Sequence, residues 1–429
     1  MSNEKLIPEL RFPEFVKDGE WKEKELKEVF NSFSGGTPST SEKGYYGGNI
    51  PFIRSAEIGK EKTELFLTEE GLKNSSAKLV NKGDLLVALY GANSGDVAIS
   101  KIDGAINQAI LCLKSDYSNT FTYNFLFLYK DWLVSRYIQG GQGNLSGDIV
   151  KSIRLSFPKK NEQQKIASCL SSLDELITAH NDKLQALKDH KKGLMQNLFP
   201  HPSASSGSGA VAEPVEAKVP KFRFPEFEKD GEWSEKALGN LIDIKGRIGY
   251  RGYTINDIVI KGEGAISMSP SNIDDFGYLK FEKSTYISWS KYEESPEIML
   301  EEGFTVLVKT GSSYGKAAFV TNLVEKTTIN PQLVVLKPIN IHARFLYLIV
   351  ANASIQRQIN ETVVGGAIPT LSQDSISKFE VLIPKPKEQQ KIASCLSALD
   401  ELITAQSEKI EQLKEHKKGL MQGLFPKIV

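Results

Sequence analysis

Few stretches of this sequence place polar side chains at spacings that could run a reaction. TGSSYGKAA (310–318) has the glycines and lysine of a phosphate-binding loop, but only three residues separate its glycines. Ala317 also stands where a Ser or Thr would hold Mg²⁺, so the stretch reads as a strand-end turn. Ile329-Asn330-Pro331-Gln332 begins like an adenine methyltransferase motif, yet it lacks the aromatic that should follow, and no glycine-rich cofactor loop precedes it. The five histidines form no HxxxH pair, and Cys112, Cys169 and Cys395 show no CxxC spacing. No Ser/His/Asp arrangement suggests itself. The residues imply no catalytic centre and no metal site.

What the sequence does offer is donors and acceptors clustered in turn-rich segments, the equipment for reading base edges. In the first half these are Thr37, Ser39, Tyr45, Tyr46 and Arg54, then Tyr90 and Asn93, Gln108, Gln142 and Asn144. Arg54, beside Pro-Phe-Ile, is equally suited to a structural ion pair. In the second half Lys245, Arg247, Tyr250, Arg251 and Tyr253 sit in glycine-rich chain, two Arg and two Tyr within seven residues. Lys309, Ser312, Tyr314, Lys316, Gln332 and Thr370 occupy positions matching those of the first half. Any one of them could be an ordinary solvated loop residue; GRIGYRGY (246–253) is the strongest cluster.

Composition sets a condition on this reading. Lys+Arg and Asp+Glu are equal at 53 each, whereas a protein that neutralises many phosphates usually carries a basic excess. Any basic contact surface must therefore be local. Charged residues at 25% and hydrophobic residues at 40% are ordinary for a globular protein, and 429 residues should fill at least two cores. MSNEKLIPEL has no apolar h-region and no run is long enough to span a membrane, so a reducing, cytoplasmic setting is expected.

The elements that position these residues are organised by duplication. Glu162–Pro200 and Glu388–Pro426 are identical at 30 of 39 positions, and RFPEFVKDGEW (11–21) recurs as RFPEFEKDGEW (223–233). Between the repeats the halves keep only a skeleton: Gly83 and Gly95 match Gly303 and Gly315, and Gly141–Leu145 faces Gly366–Leu371. Short apolar runs such as DLLVALYG and FTVLVKTG read as strands, with helices over Thr122–Gln139 and Ala343–Thr362. His201–Pro220, rich in Ser, Gly and Ala, reads as a flexible linker. The expected division is a domain over 1–158 with the repeat segment 11–21, a helix over 159–200, a linker over 201–222, a second domain over 223–384 and a second helix over 385–429.

Each repeated helix carries a 4,3,4,3 apolar stripe. It runs through Ile166, Leu170, Leu173, Ile177, Leu184 and Leu187 in the first, with His180 and Lys191 in its gaps. In the second it runs through Ile392, Leu396, Leu399, Ile403, Ile410 and Leu413. Sustained a/d spacing is a coiled-coil seam, and Asn161 is the expected cap of the first helix. Connectivity favours an antiparallel pair, since a parallel one makes the linker retrace about 57 Å, from ~38 residues at ~1.5 Å each. The expected fold is α+β: two homologous domains separated by two long antiparallel coiled-coil helices, with a pseudo-two-fold axis. Such a rod would span about 17 base pairs at ~3.4 Å per step and act as a ruler. His180, in the seam facing Gln406 or Lys side chains, would fix register, and the duplicated charged surface (KDHKKG, KEHKKG) suits docking of two identical partners.

At this point the chain resembles, over essentially its whole length, the specificity subunit of Type I restriction–modification systems. PxxxEQQKIAxxLxxxDELI before a long helix, present twice, is similar to that family's spacer. Residues 34–58 and 246–273 resemble its target recognition domains. The resemblance implies a non-catalytic DNA-binding subunit in which each domain reads one half of a bipartite, asymmetric site in double-stranded DNA. The helices and RFPEF segments would dock two modification (methyltransferase) subunits, and restriction subunits would join through them. S-adenosylmethionine, ATP and Mg²⁺ would reside on those partners, none on this chain. The alternative reading is a coiled-coil scaffold that binds only proteins; the neutral charge favours it and the divergent glycine-rich loops oppose it.

Overall fold

The structure, a computed structural model, describes residues 6–137, 144–200, 218–247, 249–274, 276–362 and 370–427. The chain divides into two compact units, Met1–Lys183 with Gln406–Val429, and Leu184–Ala405. Each unit takes part of both long helices, α1 (Lys160–Asn197) and α2 (Pro386–Leu424).

In the first unit a four-stranded antiparallel sheet runs in the order Asn31–Ser34, Ile110–Lys114, Leu85–Ala88, Val97–Ile99. Every residue of Leu85–Ala88 is buried because both faces of the sheet are covered, which explains an unbroken apolar run where alternation would mark a half-exposed strand. Leu85, Val87 and Leu89 face a helical core with Trp21, Phe121 and Phe125. Leu86 and Ala88 face a second sheet through Ile53 and Ile106. That sheet is mixed, ordered Leu65–Leu67, Tyr46–Ile53, Gly104–Ile106, Lys78–Val80.

The second unit repeats the design. Ile242–Gly246, Leu333–Pro338, Thr305–Val308 and Ala317–Phe319 form the antiparallel sheet, with Leu307 on the helical side and Val306 and Val308 on the other. The mixed sheet differs at its edges. Thr285–Ser288, Gly264–Met268 and Thr327–Ile329 match three strands of the first unit, but the fourth, Ile258–Val259, is added beyond Thr285–Ser288. The edge strand of the first unit shrinks here to one bridge, Met299 to Thr328. Both expected domain helices are broken in two, Asn119–Leu128 and Lys130–Tyr137 in one unit, Ala343–Val350 and Ala353–Thr362 in the other.

The repeated RFPEF…W segment is tied to the start of each long helix. Arg11 grips Glu162 with two nitrogens, Nε at 2.7 Å and Nη2 at 2.8 Å, and the Trp21 indole donates to the same carboxylate at 3.3 Å. Arg223, Glu388 and Trp233 do the same at 2.8, 2.7 and 3.3 Å. Glu162 and Glu388 are almost wholly buried, and these donors satisfy carboxylate oxygens that water does not reach. Reciprocally, Glu162 raises the pKa of Arg11 against the opposing effect of burial. α1 begins at Lys160, which places Asn161 inside the first turn instead of at the cap. The amide of Gln163 donates to the Pro158 carbonyl, and Gln389 does likewise to Pro384.

Within each unit the two helices pack antiparallel. In the first, Asp174 meets Lys417 (2.6 Å) and His180 meets Gln406, whose amide nitrogen lies 2.7 Å from Nδ1 and 2.8 Å from the His180 carbonyl oxygen. In the second, Lys191 meets Asp400 at 2.5 Å, and Asp400 also binds Tyr278 and Arg344. Of the seam residues, Ile166, Leu170, Ile392, Leu396, Leu399, Ile403, Ile410 and Leu413 are buried. Leu173, Ile177, Leu184 and Leu187 are half-buried.

Each helix ends in an aromatic that enters a core. Phe425, after α2, lies 4.9 Å from Phe125, 5.2 Å from Phe121 and 6.5 Å from Trp21 in the first unit. Phe199, after α1, stacks on Phe345 at 5.6 Å and meets Trp233 edge-on at 6.0 Å in the second. The core of a unit is thus closed by the helix that starts on the other unit. Truncating either ring to Ala should cost about 3–5 kcal/mol. Hydrogen exchange should show Phe425→Ala loosening the first unit and Phe199→Ala the second; equal loss in both units from either change would contradict this division.

Candidate nucleic-acid interface

Polar candidates from distant parts of the sequence meet around the residue that ends the central strand of each antiparallel sheet. In the first unit that residue is Leu89: its N–H donates to the Ala109 carbonyl, and its carbonyl accepts from Leu145. In the second it is Lys309, joined in the same way to Gln332 and Leu371. The turn that follows has one backbone course in both units. Gly91 and Gly95 (φ 82° and 86°) match Gly311 and Gly315 (φ 102° and 82°), a left-handed region open to glycine. Gly95 donates to Ala88 as Gly315 does to Val308. TGSSYGKAA is thereby the tight turn between antiparallel strands Thr305–Val308 and Ala317–Phe319, not a strand-to-helix phosphate loop.

Around Leu89 the fold gathers Tyr90, Asn93, Gln108, Asn144 and Thr37. Tyr90 is 41% exposed, and the backbone carbonyl of Asn93 accepts from Asp96 within the turn. The Asn144 side chain accepts from the Gly91 N–H at 3.3 Å, and Thr37 donates to Gln108 at 2.7 Å. Ser39 pairs with Ser41, while Tyr46 donates to the Pro38 carbonyl and so steadies the 37–41 stretch. Tyr45 is half-buried against the helix Glu69–Lys73, whose Gly71 leaves no room for a Cβ beside it. Gln142 lies outside the described residues.

Around Lys309 the fold brings together Lys245, Ser312, Tyr314, Lys316, Gln332 and Thr370. Lys245 pairs with Asp243 at 2.9 Å, Tyr314 donates to Asn360 at 2.9 Å, and Lys316 donates to the Ile273 carbonyl at 3.0 Å. Ser312 is exposed, and Thr370 bridges Thr310. Asn330 caps its own turn by accepting from the Gln332 N–H, and its amide nitrogen donates to the Gln332 side-chain oxygen at 3.1 Å. Gln373, absent from the sequence-based set, joins this group. It directly follows Ser372, the cap of a short helix, at the position that Gly147 holds after Ser146 in the first unit. Matching the two caps is the signal that would have found it.

The arginines go elsewhere. Arg54 is engaged by Glu57 (3.0 and 3.2 Å) and Glu64 (2.5 Å), and these carboxylates raise its pKa despite desolvation. It is the structural ion-pair partner. Arg247 is 5% exposed, with Nε donating to the Ile329 carbonyl at 3.0 Å, Nη2 to the Thr328 hydroxyl at 3.3 Å and Nη1 to the Arg251 carbonyl at 3.3 Å. Its guanidinium lies over the Tyr253 ring at 5.5 Å, and burial lowers its pKa. Arg251 binds the Glu294 carbonyl at 3.2 Å and the Glu297 carboxylate at 3.5 Å, and Tyr250 belongs to the turn Gly249–Arg251. In this conformation the Arg247 and Arg251 guanidinium groups are engaged by the fold.

Among the described residues no group of three or more His, Cys, Asp or Glu side chains could hold a metal ion. No helix there is long and apolar enough to cross a membrane.

The family profile described as "Type I restriction modification DNA specificity domain" matches residues 18–189 and again 232–415. The MjaIX specificity subunit of a Type I restriction enzyme of Methanocaldococcus jannaschii is 24% identical over 433 residues, covering 96% of this chain and 93% of that protein. The crystal structure of a Type I restriction–modification S subunit from M. genitalium aligns with TM-score 0.59 at 16% identity over 99% of this chain and 100% of its own. A chain from a structural study of Type I complex assembly and conformational transition aligns with TM-score 0.56 at 14% identity, over 95% of this chain and 97% of its own. These likenesses carry the fold.

Because Arg247 supports the fold, Arg247→Met should lower stability by about 1–3 kcal/mol, the cost of leaving the Ile329 carbonyl and Thr328 hydroxyl unpaired. A denaturant titration showing unchanged stability together with lost DNA binding would return Arg247 to the contact surface.

Proposed function

Since the chain belongs to the Type I restriction modification DNA specificity family, as a specificity subunit without catalytic activity of its own, we propose that its two units each read one half of a bipartite, asymmetric DNA site. The observation that carries this reading is the contrast between frame and surface. Both units keep one antiparallel sheet order, one strand-end turn and one Arg–Glu–Trp clamp. The side chains that those turns present differ almost throughout: Tyr90, Asn93 and Gln108 in one, Lys309, Ser312 and Gln332 in the other. One backbone course bearing different donors and acceptors is what recognition of two different half-sites requires.

The long helices would set the distance between the half-sites. Their duplicated surface would dock two modification subunits, since two identical partners need two identical patches. Leu176 and Leu402 occupy the same repeat position and are 42% and 55% exposed, an apolar feature offered twice. S-adenosylmethionine would be bound by those partners, with ATP and Mg²⁺ on the restriction subunits that join them, and methylation would proceed on an adenine flipped from the duplex.

Inserting one heptad into both helices should lengthen the spacer by about three base pairs, from ~1.5 Å per helical residue against ~3.4 Å per base step, with both half-sites unchanged. A methylation map with the original spacer would refute the ruler. Leu176→Glu combined with Leu402→Glu should abolish capture of the modification subunit while the thermal midpoint holds; full retention of binding would remove the helices from the docking face.

A further inference from the structure

The end of the central strand is where the two units differ most in chemistry. Leu89 is 2% exposed and belongs to the helical core of the first unit. Its counterpart Lys309 puts an amine at a position the fold can fill with hydrocarbon, so the charge is no requirement of the architecture. Desolvation lowers the pKa of Lys309, and among the described residues no carboxylate pairs with it. A half-buried ammonium without a counter-ion is costly unless something outside the chain answers it.

Two further donors flank it. A Cβ on Gly246 would lie 2.8 Å from the Gln373 amide nitrogen and 3.7 Å from Lys309 Nζ, so both polar groups converge over that glycine. A Cβ on Gly311 would lie 3.2 Å from the Gln332 amide nitrogen. Because the Gln332 oxygen already accepts from Asn330, its NH₂ is the group left to act. The matching residues of the first unit are Leu89, Ala109 and Gly147, none with a polar side chain. Three donors thus stand together in the second unit at positions where the first has no polar side chain, two of them packed over Gly246 and one over Gly311.

We infer that Lys309, with Gln332 and Gln373, is the base-reading element of the second unit and selects a guanine through its major-groove edge. Guanine offers two adjacent acceptors there, O6 and N7, with no donor between them, which suits a donor-only Lys309 and Gln332. The inference rests on the reading that this chain selects the DNA site, and it replaces the arginines of the 246–253 loop as the discriminating groups.

The test uses the full-length chain assembled with its modification subunit, against a library of randomised duplex sites at one fixed salt concentration. Lys309→Leu installs the residue that the first unit already carries at this position. It should cut discrimination at a single G·C pair of one half-site by about tenfold or more, and leave the other half-site and the thermal midpoint as they were. Gln373→Gly, also the first unit's residue, should give a smaller loss at the same or the adjacent pair. Uniformly weaker binding with unchanged preference would make Lys309 a phosphate contact and overturn the proposal, as would no change, or relaxation at an A·T pair. Absence of sequence preference in the unsubstituted assembly is a separate result, which would refute DNA reading by this chain itself.

Discussion

Everything in this molecule depends on a burial that is reciprocal. The ring at the end of each long helix, Phe199 or Phe425, completes a core belonging to the unit on which the other helix begins. At its start each helix is held by a buried carboxylate between an arginine and a tryptophan. A helix fixed at both ends by core contacts draws its stability from packing more than from its own propensity. The seam adds register: His180 with Gln406, and Asp174–Lys417 and Lys191–Asp400, which are the same two repeat positions with the helices exchanged.

That frame leaves the strand ends free to vary. In both units the antiparallel sheet is buried on its two faces, so its interior residues are interchangeable only with hydrocarbon. Change concentrates at the residues that end the central strand and at the sheet edges. The mixed sheets share three strands and differ in which edge carries the fourth, Lys78–Val80 in one and Ile258–Val259 in the other. Edges are where a strand can be gained or lost without disturbing a neighbour on its far side.

Much of this was legible in the sequence, and the reasons divide by range. The duplication and the 4,3,4,3 stripe depend on local spacing, and they gave the long helices, their pairing and the place of His180 in the seam; that Gln406 is its partner is seen only in the structure. The turn at Gly311–Gly315 followed from a glycine–lysine spacing that does not fit a phosphate loop. The partners of Arg247 and Arg251 were not legible, because an arginine among tyrosines and glycines looks the same whether it faces solvent or caps a carbonyl; Ile329 and Glu294 are 82 and 43 residues away. The Arg11–Glu162 clamp is likewise beyond local spacing, since Glu162 stands in the other repeated block, 151 residues on. No local pattern sets Lys309 apart from other strand-end lysines; what distinguishes it is that its equivalent in the first unit is the buried Leu89.

Reciprocal burial also governs the order in which the protein can come into being. Most of the first unit is translated before the second, but Phe425 follows the whole of the second unit, and without it the cluster of Trp21, Phe121 and Phe125 stays open. The second unit, drawn from one continuous stretch, Leu184–Ala405, has all its core residues in hand sooner. Synthesis therefore runs opposite to completion: the half that is made first is finished last, with its aromatic core exposed through the translation of the other half.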